Sequence, residues 1–328
     1  MKIRHYIWIL APLAVAAFAP RARAADSDFN GRWDITVHKT PADKAWWLEV
    51  NGAGSAALRG AFVGMPGGSL DTLPDPKIED GILKWTWMPR RNPNAPANPN
   101  ARIPSPQQYT FRLVNGVLEG EMTTAGAEPL KATGHRAPVI KDRDDGSWAK
   151  GAPVILFNGK DKSEWIGLKS PEAKGWTIVD GVLTSTGHAD DLITKQKFWN
   201  FEIHVEYNIA EKSNSGLGLR GRYEVQIMDD FGKPPGFHNT GTLYTRIVPP
   251  ENYGLPAGQW QTLDVRLVGM QVTGHLNGHL LYDKGVIEGL TGIAYDPNEG
   301  EPGAIELQGD HGAVLFRNIV ITPLVKKK

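Results

Sequence analysis

Two short segments hold most of the side chains able to do chemistry. The first, NSGLGLRGRYEVQIMDD from Asn214 to Asp230, sets Arg220, Arg222, Glu224, Gln226 and Asp229 into a run that otherwise alternates like a buried strand. The second, AIELQGDHGAVLFRNIVITPL, brings Gln308, Asp310 and His311 together between glycines 309 and 312. A carboxylate beside an imidazole can tune it for proton transfer near neutral pH, and the flanking glycines permit a close backbone approach.

The first segment reads either as one long strand or as a hairpin. As one strand, period two aligns Arg220, Arg222, Glu224 and Gln226 on a single polar face; as a hairpin turning at Gly221-Arg222, it moves Arg220 to the other side. Glu224 and Gln226 share a face in both. The plain interpretation of that pair is a solvated sheet surface, and the sharper one is the concave face of a sugar-binding sandwich. A retaining glycosidase would want two carboxylates about 5 Å apart, but the middle position of Glu224-x-Gln226-x-x-Asp229 is an amide. Glu224 and Asp229 also point to opposite faces of a regular strand.

Weaker candidates lie elsewhere. The Pro/Gly-rich stretch PPGFHNTGTLYTRIVPPENYG is too irregular to be a strand throughout, and loops on a rigid sheet often carry function, so Asn239, Tyr244 and Asn252 are contact candidates. Trp260 sits in an alternating apolar run and reads first as scaffold. His275 and His279 would not share a face in a strand and turn, which argues against a zinc pair. There is no Gly-x-Ser-x-Gly elbow, no phosphate-binding Gly-Lys-Ser/Thr loop and no dinucleotide fingerprint.

The elements that must position these residues are strands. Helical periodicity is almost absent over the 328 residues; short runs rich in Val, Ile, Leu, Thr and Trp alternate with turn signals such as Asp80-Gly81, Asn115-Gly116, Asp180-Gly181 and Asn277-Gly278. An all-β chain of antiparallel hairpins is expected. Residues 1–24 read as a secretory leader, with a basic start, an apolar run broken by Pro12, and Ala22-Arg23-Ala24 as cleavage site, which predicts a periplasmic or secreted protein. Residues 25–137 read as a small antiparallel barrel or sandwich with an exposed Pro/Asn-rich loop, PRRNPNAPANPNARIPSP. Residues 138–152 read as a charged linker, and 153–328 as a second β-rich block.

Composition narrows the partners. Loss of the leader takes 36 basic residues to 32 against 36 acidic ones, a net charge of −4. No basic stripe suits nucleic acid, and no later segment is apolar enough for a membrane-spanning helix. With no cysteine, disulfides, thiolate metal sites and a cysteine nucleophile are excluded.

The series LFNGKDKSEWIGL, GWTIVDGVLTS, NSGLGLRGRYEVQIMDD, GQWQTLDVRL, HLNG and LQGDHGAVLFRNIVI resembles the bacterial 3-keto-disaccharide hydrolase domain, also described as 3-keto-glucoside lyase/hydratase, over about Val154 to Leu324. The resemblance implies a concanavalin-like β-sandwich, exported, that cleaves sugars oxidised at C3. It implies proton transfer by Glu224 and His311, with Asn214, Arg220 and Gln226 as donors to sugar oxygens or to an enediolate. Asp229, Tyr244, Gln308 and Asp310 are further substrate contacts on this reading, and Trp260 is a packing residue or sugar platform. A divalent ion held by Glu224, His311 or Asp229 would be an alternative oxyanion stabiliser. Where relatives have Gln-Asp-His-Gly, this chain has Gln308-Gly309-Asp310-His311-Gly312, an extra glycine that can shift His311. A non-catalytic carbohydrate-binding module on the same sandwich is the competing expectation. The N-terminal block lies outside the resemblance; it would widen the cleft, bind polymer, or only stabilise the chain.

Overall fold

The computed structural model describes residues 24–38, 44–64, 68–88 and 105–327. The proposed leader, apart from Ala24, and most of the Pro/Asn-rich loop lie outside these residues. Among the described residues the structure is strand and turn, with one short 3-10 turn at Asp26–Phe29 and no α-helix.

Nine strands form the first sheet: β1 (Gly31–His38), β2 (Lys44–Asn51), β3 (Arg59–Val63), β4 (Leu70–Thr72), β5 (Lys77–Glu79), β6 (Ile82–Trp87), β7 (Gln107–Val114), β8 (Val117–Thr124) and β9 (Leu130–Arg136). Every pair is antiparallel, and the spatial order is β4-β3-β2-β1-β9-β8-β7-β6-β5. Phe62 on β3 and Trp85 on β6 are six strand steps apart, about 29 Å in a flat sheet, yet their rings lie 5.1 Å apart. The sheet is therefore strongly curled. It closes on an aromatic core in which Trp46 also meets Tyr109 edge-on at 5.7 Å and Trp85 stacks on Tyr109 at 4.9 Å.

The remainder forms two stacked sheets. The larger takes β10 (Trp148–Lys150), β11 (Val154–Phe157), β13 (Trp176–Val179), β14 (Val182–Ser185), β16 (Phe201–Ile209), β19 (Trp260–Val268), β20 (Gln271–Leu276), β21 (His279–Val286) and β23 (Val314–Lys326). The smaller is β12 (Trp165–Gly167), β15 (Leu192–Thr194), β22 (Glu306–Leu307), β17 (Asn214–Leu219) and β18 (Tyr223–Met228), paired in the order β12-β15-β22-β17-β18. Alternation decides what lies between them. Phe201, Ile203, Val205, Tyr207 and Ile209 of β16 are buried while the residues between them are partly exposed. Leu217, Leu219, Tyr223, Val225 and Ile227 fill the same core from the opposite sheet, and each such burial is worth about 1.5–3 kcal/mol.

Asp80-Gly81, Asn115-Gly116, Asp180-Gly181 and Asn277-Gly278 all have positive φ at both positions, as type I′ hairpin turns require. The segment expected as a linker is built into the sandwich instead. Its β10 pairs with the end of β23, Trp148 opposite Lys326, and Asp144 accepts two bonds of 2.8 Å from Arg266.

Strand β2 explains how the two blocks join. KAWWLEVN is apolar on both faces: Trp46, Leu48 and Val50 enter the curled sheet's core, whereas Ala45 and Trp47 enter the sandwich's core. The Arg246 guanidinium lies 4.6 Å from the Trp47 ring centroid, and Gly289, at φ +95°, is packed so tightly on that indole that no side chain would fit. The Leu70 N–H donates to Thr245 Oγ1 at 3.1 Å, and Ser69 Oγ bonds His238 Nε2 at 3.0 Å. The curled sheet is thus fixed against the loops that follow β18 and β21 of the sandwich.

Candidate active site

The smaller sheet presents two opposite sets of side chains. Its core-facing row runs Leu192–Leu307–Leu217–Val225, and the adjacent row, pointing the other way, runs Ile193–Glu306–Gly218–Glu224. Two glutamates therefore flank a glycine, about 10 Å apart across two strand spacings. Glycine is required there. A Cβ on Gly218 would stand 2.7 Å from Glu306 Cβ, and one on Gly216 would stand 2.6 Å from Glu224 Oε1. Gln226 and Gln308 extend the same polar face, Gly216 lying opposite Gln226 while its carbonyl accepts the Gln308 N–H at 3.0 Å.

This face is covered rather than solvated: Glu306 is 1% exposed and Glu224 4%. Burial pushes the Glu224 carboxyl up to about 8, opposed by the charge of His311 and reinforced by Asp191. Glu306 is pushed well above the usual carboxylate range by burial, then by Asp191 and Glu224. Asp191, also raised by burial, accepts the Gly309 N–H at 2.8 Å. Asp310 accepts from His311 Nδ1 and lies 3.4 Å from Lys169 Nζ. The His311 bond holds the Asp310 carboxyl below its usual range, and the same bond raises the imidazole above its own. With Nδ1 engaged, Nε2 of the half-exposed imidazole is the nitrogen left for proton transfer.

A cleft of about 520 Å³ opens onto this cluster. One wall carries Lys169, Asp191, Glu306, Gln308, Asp310 and His311; the facing wall belongs to the curled sheet and includes Lys44, Trp46, Val63, Gln107, Met122 and Leu130. Two buried oxygens of the cleft lining, Glu306 Oε2 and Gln308 Oε1, have no hydrogen-bond partner, and neither has Asn214 Oδ1, which lies outside the lining. Unmet polar groups are costly in a closed core, so their gathering beside a cleft is what a polar ligand site requires. Among the described residues no three His, Asp or Glu side chains converge as a metal site would need.

The structure brings together Glu224, Gln226, Gln308, Asp310, His311 and Asn214 of the residues expected from sequence. Glu224 does not line the cleft; it lies under the floor, across Gly218 from Glu306. Gln226 is tied locally, its oxygen accepting the Ile227 N–H at 3.2 Å. Tyr244 belongs to the covering loop, its N–H donating to the Glu224 carbonyl at 2.9 Å, and its phenol is raised by burial and then by Glu224.

Three expected residues stand elsewhere. The segment is a hairpin, not one strand: Arg220 and Gly221 have φ of 57° and 65°, and the Arg222 N–H closes on the Leu219 carbonyl at 3.1 Å. Arg220 is consequently turned away and fully buried, donating to Trp199 O at 2.7 Å, Gly269 O at 2.9 Å and Asn200 Oδ1 at 3.2 Å. Asp229 braces a turn by accepting the Lys212 N–H at 2.7 Å. Trp260 lies opposite Asn208 on the larger sheet's outer face, with the Arg317 guanidinium 3.9 Å from its ring centroid.

Glu306, Asp191 and Lys169 were not singled out from sequence. The signal for Glu306 was present, since alternation in AIELQG sets Glu306 and Gln308 on the face opposite Ile305 and Leu307. Nothing local marks Trp46 or Lys44 as cleft residues, because the docking of the curled sheet puts them there.

Buried acids, an imidazole–carboxylate pair and unmet oxygens beside a β-sandwich cleft suit a polar ligand and proton transfer. The chain belongs to the family of 3-keto-alpha-glucoside-1,2-lyase-like domains, whose model matches residues 152–322. A 3-keto-disaccharide hydrolase of Bacteroides thetaiotaomicron is 32% identical over 74 residues, 20% of this chain and 26% of that protein. The chain thus spans about a quarter of that relative's length. Among solved structures, a candidate glycosyl hydrolase of Parabacteroides distasonis is 25% identical, over 52% of this chain and 93% of that one, with a TM-score of 0.45. A carbohydrate binding module from Bacillus subtilis is 11% identical, over 48% and 93% of the two chains, with a TM-score of 0.33.

Proposed function

We propose that the protein cleaves 3-keto-glycosides by elimination and hydration on a concanavalin-like sandwich, outside the cytosol if the leader is used. A ketone at C3 acidifies the C2 proton. A base takes that proton, the electrons of the C2–H bond form an enolate, and the C1–O bond breaks as the ketone re-forms, leaving a C1=C2 alkene. Water then adds at C1, C2 regains a proton, and the products are the 3-keto sugar and the free leaving group.

The observation that carries this reading is the buried Glu306 carboxyl, pushed above its usual range by burial, lining a cleft beside an imidazole–carboxylate pair. Glu306, kept protonated by burial, donates to the developing oxyanion at O3, the role an un-ionised acid can fill at neutral pH. His311, oriented by Asp310, removes the C2 proton, loses it to the departing oxygen and to solvent, and later delivers a solvent-derived proton to C2. Glu224, whose carboxyl is pushed up to about 8, holds a second proton beneath the site. Gln308 accepts from a sugar hydroxyl through an oxygen otherwise unpartnered.

The test is incubation with a 3-keto-glycoside in deuterium oxide, following leaving-group release and the C2 label by NMR. Release with deuterium at C2 of the product is expected. Release without label would mean direct displacement at C1, and binding without release would leave a carbohydrate-binding module.

A further inference from the structure

We propose that the curled N-terminal sheet is the leaving-group subsite of the cleft, and that it selects an apolar, planar aglycone over a second sugar. The inference rests on the 3-keto-glycoside reading and adds to it a substrate class set by residues outside the family domain, which begins at residue 152.

The first observation is the chemistry of the wall. Trp46, Val63, Met122 and Leu130 face the cleft with only Lys44 and Gln107 as polar side chains among the described wall residues. The side-chain acceptors there are few, and each already takes one hydrogen bond. Gln107 Oε1 takes the Tyr109 hydroxyl at 2.8 Å, and Met122 Sδ takes the Thr124 hydroxyl at 3.2 Å. Among the described residues the side chains of this wall offer mainly donors and apolar surface. A pyranose leaving group would bring several hydroxyl protons against this wall, and each one buried without an acceptor is penalised. A phenyl ring brings none. It also departs as an aryloxide, which the Lys44 ammonium and the Gln107 amide suit as a cation and a donor.

The second observation is that the wall is fixed. Trp47, one residue from Trp46 on β2, is 1% exposed within the sandwich's own core, and Gly68 and Gly292 meet backbone to backbone at the cleft margin. A Cβ on Gly68 would stand 2.7 Å from Gly292 Cα. The subsite is therefore preformed, and its shape discriminates without needing a closing motion.

The experiment compares kcat/KM for a phenyl 3-keto-glucoside and a 3-keto-disaccharide of the same anomeric configuration, in the wild type, Leu130→Gln and Met122→Gln. Both positions are only partly buried, and circular dichroism checks that each variant folds. The wild type is expected to favour the phenyl substrate by about tenfold or more, and the added amides to reduce that ratio by about tenfold, mainly through KM. No preference in the wild type, or a ratio that neither variant moves, overturns the subsite. If neither substrate is cleaved, the reaction proposed above fails separately. The subsite is then judged by equilibrium binding of unoxidised phenyl glucoside against a disaccharide. Tighter phenyl binding that Leu130→Gln abolishes supports it, and equal binding refutes it.

Discussion

Two groups of buried acids lie along the seam between the curled sheet and the sandwich, and they use their hydrogen-bonding capacity differently. In one, Asp34 of β1 meets Glu299 beside Arg222 and Tyr223. Burial and then the Glu299 charge push the Asp34 carboxyl up to about 9. Two neighbouring donors are engaged: Arg222 donates to Asp296 Oδ2 at 2.8 Å and to the Glu301 carbonyl at 2.6 Å, and Tyr223 gives its hydroxyl to Glu299 at 2.9 Å. In the other group, Glu306 and Asp191 are equally buried, but Lys169 and His311 are half-exposed and face a cleft of about 520 Å³. A raised carboxyl alone thus marks burial, not function. Asp34 and Glu299 line a cavity too, of about 230 Å³ with His135 and Arg136, so what separates the groups is the larger cleft and the imidazole–carboxylate pair of Asp310 and His311 beside Glu306.

The largest expected effect tests that distinction directly. Glu306→Gln removes the acid proton while keeping size and burial, and kcat should fall by about 10²–10⁴-fold with little change in thermal stability. Asp34→Asn should leave kcat within about twofold, a difference too small to involve the transition state. Steady-state kinetics on the same 3-keto-glycoside check both. Equal losses, or a larger loss in Asp34→Asn, would reverse the assignment of the two groups.

A smaller effect is expected one residue from the imidazole. Asp310 raises His311 by accepting from Nδ1, so Asp310→Asn should lower the imidazole's affinity for its proton. His311 acts as base only when neutral. The acid limb of the kcat–pH profile should therefore move to lower pH, while kcat at the plateau falls about tenfold as the base weakens and loses its orientation. An unmoved acid limb would assign that limb to another group.

Much of this geometry was legible in the sequence because it follows from alternation. The Asn-Gly and Asp-Gly turns, the strands they join, and the grouping of Glu224 with Gln226 all depend on period two and on φ, which are local properties. The position of Arg220 was not local in that sense. Its side changed because a turn occupies 220–222 where continued alternation would have aligned it with Glu224, and three acceptors from distant segments then captured its guanidinium. Glu306 was harder still. It sits on a two-residue strand, and only register across Gly218 relates it to Glu224, 82 residues earlier. The second wall of the cleft follows from Trp46 and Trp47 facing opposite ways on one strand. The sequence displays that pattern as two adjacent tryptophans without saying what either one meets.

The smallest expected effect lies in the Asp34–Glu299 group and concerns stability. A carboxyl raised from an ordinary value near 3.8 to about 9 binds its proton in the folded state over a range where the unfolded chain has lost it. The stability it contributes is therefore complete below about pH 4 and is lost progressively as pH rises toward 9, because the unfolded state binds fewer protons throughout that window. Once Asp34 ionises, two carboxylates face each other at the seam, with Arg222 already committed to Asp296 and two carbonyls. In Asp34→Asn the melting temperature should fall less steeply over this interval than in the wild type, and calorimetry at matched ionic strength measures the two slopes. Parallel slopes would mean that Asp34 keeps no extra proton on folding, and the pH sensitivity of the seam would then belong to another group. A flattened slope with an unchanged kcat–pH profile would complete the separation: one group of acids holds the sheet to the sandwich, and the other works in the cleft that this docking creates.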